Sequence, residues 1–154
     1  MRQHADALVI DTGPGATVLT RLAISVADHI VVPVRPDRFA LSALTQLEQI
    51  VRHVRGRPLK PEEFSILLNG VRDKARAQGG DADALVRAEI AAAPFFGSAL
   101  LDDAIPHAGV LRAAPNPPRS ANPINATAMM RLGARDLKEA LARAAATIWR
   151  RARP

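Results

Sequence analysis

The constraint that most narrows the fold is an alternation. Short apolar runs of strand type at 5–11, 29–34 and 64–68 are separated by segments whose apolar residues recur every three or four positions. Near-continuous apolar runs suit strands buried on both faces, as in parallel sheets. Strand-type and helix-type segments in strict turn read as a parallel sheet with crossover helices, almost always right-handed. The first helix is predicted over 17–27, with Val18, Leu19, Leu22 and Val26 on one face. The second covers 40–54, with Leu41, Leu44, Leu47, Ile50 and Val54 at helical spacing, and the stretch from Gly56 to Pro61 breaks it. The third runs over about 81–93, with Asp81 as its N-cap, and stops at Pro94. A short strand is expected at 99–101. Residues 106–125 hold Pro115, Pro117, Pro118 and Pro123, too proline-dense for an element interior, so they read as a loop. A last helix is predicted over 126–151, with Met130, Leu137, Leu141, Ala145 and Ile148 near one face.

Length and composition bound the function classes. The 154 residues are one domain's worth, and 48% apolar content supports a real core. Aromatic residues are only 3%, so that core must come from Ala, Leu, Val and Ile. The absence of cysteine excludes disulfides and thiolate metal sites and fits a reducing, cytoplasmic setting. No stretch approaches the roughly 18 apolar residues of a membrane span, and the amino terminus has no signal-peptide plan. The net charge of +6 is concentrated at one end. Residues 131–154 carry Arg131, Arg135, Lys138, Arg143, Arg150, Arg151 and Arg153 against Asp136 and Glu139. A basic end can meet nucleic acid or an anionic membrane, and an Arg-rich solvated helix accounts for it equally well.

The most informative local run is Ala7-Leu-Val-Ile-Asp-Thr-Gly-Pro-Gly-Ala16. An apolar strand ends in an aspartate, and a Gly/Pro turn follows at once. In nucleotide-binding α/β proteins this is where a carboxylate meets a metal-bound phosphate. The plainer reading is a strand-end aspartate that caps the next helix, with Pro14 and Gly15 as turn residues. The histidines His4, His29, His53 and His107 share no metal-ligand spacing. Ser25, Ser42, Ser65, Ser98 and Ser120 lack a nucleophile-elbow context.

The run at 7–16 resembles the V-I-I-D-T-P-P-G motif of the ParA/MinD family of partition ATPases. Four further segments resemble that family in order. The stretch from Ala27 to Leu44, with Asp28, Pro33, Pro36 and Leu41, is similar to A-D-x-V-I-I-P-V-Q-P-E-x-x-A-L-x-G-L. Ile66 to Asn69, followed by Arg72, is similar to the strand and loop that flank the adenine. Ala104 to Pro106, followed by Ala114 and Pro115, is similar to I-P-R-x-x-x-x-x-E-A-P. Asn122, Pro123 and Ile124 are similar to K-P-I before the last helix. The sequence departs from the pattern at Gly13, where the family has a proline, at His107, which replaces an arginine, and at Ala113, which replaces a glutamate. The family's phosphate-binding loop G-K-G-G-x-G-K-T has no counterpart in this sequence.

The resemblance implies a single ParA/MinD-like domain over 1–154. Its expected fold is α/β, a partial P-loop-NTPase-like parallel sheet with crossover helices, lacking the phosphate-loop strand. It implies ATP and Mg2+ as ligands. Asp11 would hold Mg2+ through water, while Thr12, Gly13 and Pro14 would form the γ-phosphate switch. Asn69 and Pro106 would border the adenine, although Asn69-Gly70 also reads as a simple turn; Arg72 and Asp73 read as exposed ion-pairing residues. On the last helix three readings stay open. It docks on the sheet; or Arg131, Arg135, Lys138, Arg143, Arg150 and Arg151 contact DNA without sequence preference; or Trp149 among arginines forms a membrane tail, for which the apolar face is small.

Phosphoryl transfer depends on the backbone and lysine of the phosphate loop. ATP hydrolysis by this sequence alone is therefore not expected. Without a neighbouring strand the run 7–10 becomes a bare apolar edge, which invites pairing. The expected partners are a second copy or a chain carrying the phosphate loop, together with non-specific DNA and a ParB-like protein. The functional expectation is an ATP-switched, DNA-associated dimer in plasmid or chromosome segregation. The alternative is a non-catalytic pseudo-ATPase module that regulates a full-length relative.

Overall fold

The computed structural model describes residues 7–13, 15–72, 82–107 and 135–152. The elements in order are α1 (Val18–Val26), β1 (Ile30–Val34), α2 (Ala40–Arg55), β2 (Phe64–Val71), α3 (Ala82–Ala92), β3 (Leu100–Pro106) and α4 (Arg135–Ala152). Single 3-10 turns at Pro61–Glu63 and Gly97–Ala99 lead into β2 and β3. The three strands form one parallel sheet in the order β1-β2-β3. The expected α/β alternation with helices as crossovers is therefore present, as the periodicities required.

The sheet separates two cores. On one face Phe64, Ile66 and Leu68 of β2 pack with Leu44 and Val51 of α2 and Ile90 of α3. Phe95 stacks on Phe64 with ring centroids 6.3 Å apart. On the other face Leu67 and Leu101 meet Ala144 of α4, with Ile105 and Ile148 packed alongside. Strand β2, flanked on both edges, is buried from Phe64 through Leu68, as a central parallel strand should be.

Local chemistry explains the helix limits. The Thr17 hydroxyl accepts a hydrogen bond from the Thr20 amide at 3.2 Å and caps α1. Gly56 takes the left-handed conformation (φ 65°) that ends α2. At the other end of α1, the Arg55 guanidinium donates to the carbonyls of Ile24 and Ala27. That cation satisfies orphan carbonyls at a helix carboxyl end and ties α1 to α2.

Five expectations are corrected. Residues 7–13 are not a buried strand: they belong to no sheet, and Leu8 and Val9 are 83% and 90% exposed. A strand persists only where a neighbour accepts its backbone groups, and among the described residues β1 pairs with β2 alone. The face of α1 bearing Val18, Leu19, Leu22 and Val26 is exposed, while Ile24 on another face is buried. Among the described elements the helix packs chiefly on α2, and the run at 7–13 is not on the sheet. Strand β2 continues through Asn69 and Gly70 to Val71 rather than turning there. Gly70, at φ 80°, sits where the register with β3 shifts, so it carries a bulge and not a turn. Strand β3 runs seven residues to Pro106, longer than expected, because Asp102 and Asp103 interrupt its apolar pattern. On α4 the buried positions are Leu137, Ala140 and Ala144, and Ala145 is exposed. Met130, Asp81 and the loop beyond His107 lie outside the described residues.

Candidate functional site

Parallel strands bring their carboxyl ends to one edge, and in open α/β sheets ligands bind outside that edge. Here the edge is formed by Val34 and Arg35 after β1, by Asn69 to Val71 on β2, and by Pro106 and His107 after β3. The register places Asn69 opposite Ile105 and Val71 opposite Pro106, so Asn69 and Pro106 stand on adjacent strands within one residue step. The His107 amide donates to the Val71 carbonyl at 2.8 Å and fixes the exit of β3. The Arg72 amide donates to the buried Asp83 carboxylate at 2.6 Å and fixes the exit of β2 against the start of α3. The exposed Asn69 amide can donate and accept, and the half-buried Pro106 offers a flat apolar surface. That pair suits the edge and face of a planar heterocycle.

The acidic half of the expected site is placed differently. Asp11, Thr12 and Gly13 are exposed and lie in the unpaired segment before α1, so the sheet does not carry them to the edge. Pro14 lies outside the described residues. Among the described residues, no group of three or more His, Asp or Glu side chains is placed to hold a metal ion.

A shallow groove of about 270 Å3 lies at the carboxyl end of β1, lined by Val32, Val34, Arg35, Asp37, Phe39 and Leu44. The Arg38 guanidinium lies 4.7 Å from the centroid of the Phe39 ring. Sequence reasoning missed this groove. Its signal was available in Arg35 between Pro33 and Pro36, which close the strand there.

The groups whose titration is perturbed sit at the opposite, amino-terminal end of the strands. His29 Nδ1 lies 3.0 Å from the Glu62 carbonyl and Nε2 lies 2.9 Å from the buried Ser65 hydroxyl. This geometry assigns the proton to Nδ1 and lets Nε2 accept from Ser65; burial pushes the imidazole pKa down. Glu63 is held at about 2, chiefly by its hydrogen bond with Arg57, with the Lys60 amide and the charge of Arg55 adding to it. These contacts lock β1, β2 and α2 together and are scaffold chemistry.

The candidate DNA residues divide. Lys138, Arg143 and Arg150 are exposed on α4. Arg143 lies 3.6 Å from Asp103 of β3, which also accepts from the Thr147 hydroxyl at 2.7 Å. The Arg151 guanidinium donates to the carbonyls of Ser98 and Ala99, anchoring α4 to the start of β3. Arg135 is in the helix, but its side chain lies outside the described residues, as does Arg131. None of the described helices is long and apolar enough to cross a membrane.

Residues 1–65 match a family model described as an AAA domain. The matched span takes in the run at 7–13, α1, β1 and α2 and ends as β2 begins. No curated protein and no solved structure gives a match. The three-stranded parallel sheet with its helices is compatible with a P-loop-like fold of that class.

Proposed function

We propose that the chain is the adenine-side half of a ParA-like, ATP-switched unit that associates with DNA and serves plasmid or chromosome segregation. The observation that carries this reading is the adjacency of Asn69 and Pro106 on neighbouring strands at the carboxyl edge of a parallel sheet. The AAA-domain match over residues 1–65 supports nucleotide as the ligand class. In this reading Asn69 and Pro106 hold the base, Asp11 serves Mg2+ through water, and Thr12 with Gly13 and Pro14 respond to the γ-phosphate. Phosphate contacts come from a glycine–lysine loop that these 154 residues do not contain. The exposed Lys138, Arg143 and Arg150 are the DNA contacts, and a ParB-like protein is the expected regulator. The site's chemistry is binding and switching, with hydrolysis dependent on the completed unit.

A second reading is supported by Asp11 lying in a segment outside the sheet. In that reading the chain is a binding module without catalysis that regulates a full-length relative.

Equilibrium binding of labelled ATP to the purified chain, with and without Mg2+, separates the two. The first reading expects micromolar binding that Asn69→Ala weakens several-fold and that loses its Mg2+ dependence in Asp11→Ala. No binding at millimolar ATP leaves the module reading. DNA titration at several salt concentrations tests the basic helix: affinity should fall steeply with salt and be indifferent to sequence.

A further inference from the structure

Exposed apolar surface is distributed very unevenly. Among the described residues nine of the eleven exposed large hydrophobic side chains fall between Leu8 and Phe39. Within that span two features are unsatisfied in complementary ways. The run Ala7 to Ile10 is four consecutive apolar residues outside any sheet. Among the described residues strand β1 pairs with β2 on one side only, which leaves its outer edge without a described strand beside it, and Val31 is exposed. One is a strand without a sheet and the other is a sheet edge without a strand. Each is the kind of surface that strand addition covers.

We propose that two copies of this chain exchange the 7–10 run, each adding it in parallel to the outer edge of the partner's β1. Four observations make a second copy the fitting occupant. Every copy carries both donor and acceptor, so a reciprocal pair leaves neither surface bare and closes with two-fold symmetry. The seven residues at 11–17 between the run and α1 span up to about 23 Å when extended, enough to reach a neighbour. Between residues 7 and 34 the full charges are Asp11, Arg21 and Asp28, so this surface does not repel its own copy although the chain as a whole is +6. Pro33 leaves β1 one amide short, which suits a brief pairing of about four residues.

Parallel addition has a consequence for the site. It carries the carboxyl end of the donated run, Asp11 and Thr12, to the same edge as Arg35, Asn69 and Pro106. The acidic side then comes from one copy and the base side from the other. That consequence rests on the nucleotide reading above; the exchange itself rests only on the exposed surfaces.

Sedimentation equilibrium of the purified chain tests the exchange. A dimer is expected at micromolar concentration. Val9→Lys and Val31→Lys should each raise its dissociation constant at least tenfold with the circular dichroism unchanged, since both side chains are exposed. A monomeric parent chain, open-ended assemblies, or a dimer indifferent to both substitutions overturns the proposal. Orientation is read by mixing an Ile10→Cys copy with an Arg35→Cys or an Asp28→Cys copy and adding a short bis-maleimide, there being no native cysteine. Cross-linking to position 35 and not 28 is expected, and the reverse overturns parallel addition and the composite site. A dimer that binds no ATP removes the nucleotide reading and leaves the exchange standing; a monomer that binds ATP does the opposite.

Discussion

Helices α1 and α4 are both amphipathic, yet they use their apolar faces in opposite ways. Helix α4 lays Leu137, Ala140 and Ala144 on the sheet and buries them, with Ala144 against Leu67 and Leu101. Helix α1 turns Val18, Leu19, Leu22 and Val26 to solvent, and only Ile24 is buried. What differs is the surface offered to each. Strands β2 and β3 stand beneath α4, whereas the segment preceding α1 is outside the sheet. An apolar stripe is a demand for cover, and its burial depends on another element being in place.

The comparison is broken most easily from the buried side. Leu101→Ala removes a fully buried side chain under α4 and should cost about 3 kcal/mol in urea unfolding. A loss under about 1 kcal/mol would show that the α4 interface is loosely packed. Arg55→Met tests the tether of the weakly seated helix. The guanidinium donates to two α1 carbonyls and reaches Glu63, so its loss should cost about 2 kcal/mol and selectively speed amide exchange in α1. Gly97→Ala should cost about 1–2 kcal/mol, because a Cβ there would run into the Ala91 carbonyl at the end of α3.

Acid should loosen the amino-terminal end of the strands in two stages. His29 titrates below its ordinary 6.5 in the fold, so its contribution is full above that pH and is lost as pH falls through the lowered value. Glu63, lowered from 4.5 to about 2, contributes fully above 4.5 and loses its contribution as pH falls towards 2. Unfolding free energy against pH should show both steps, with Glu63→Gln removing the lower one. The smallest effect belongs to the exposed face: Leu19→Ala should change unfolding by less than about 0.5 kcal/mol under conditions where the chain is monomeric. A larger loss in the monomer would mean that this face is covered within one copy.

Part of the candidate site was legible and part was not. Asn69 and Pro106 could be singled out only through the resemblance of their segments to the ParA/MinD pattern. Their adjacency could not, because it depends on a register shift around Gly70 that no periodicity encodes. The Asp11 motif was the clearest local signal in the chain, yet its described residues belong to no strand of the sheet. Motif chemistry states which atoms suit a phosphate-bound metal and says nothing of what holds them there. The clamp of Arg55, Arg57 and Glu63 was invisible for the opposite reason: ordinary charged residues became specific only where α2 and β2 met.

The sequence by itself determined the alternation of strands and helices, the parallel α/β class, and the burial of Leu44 on α2, whereas Val51, off the predicted stripe, is buried as well. These follow from local periodicity and propensity, which act within a few residues along the chain. Only the tertiary structure decided that 7–10 stands outside the sheet, that α1 buries Ile24 rather than Leu22, and that β3 runs through two aspartates to Pro106. Those outcomes depend on which backbone groups find partners far along the chain, and a strand or an apolar face has no defined state until they do.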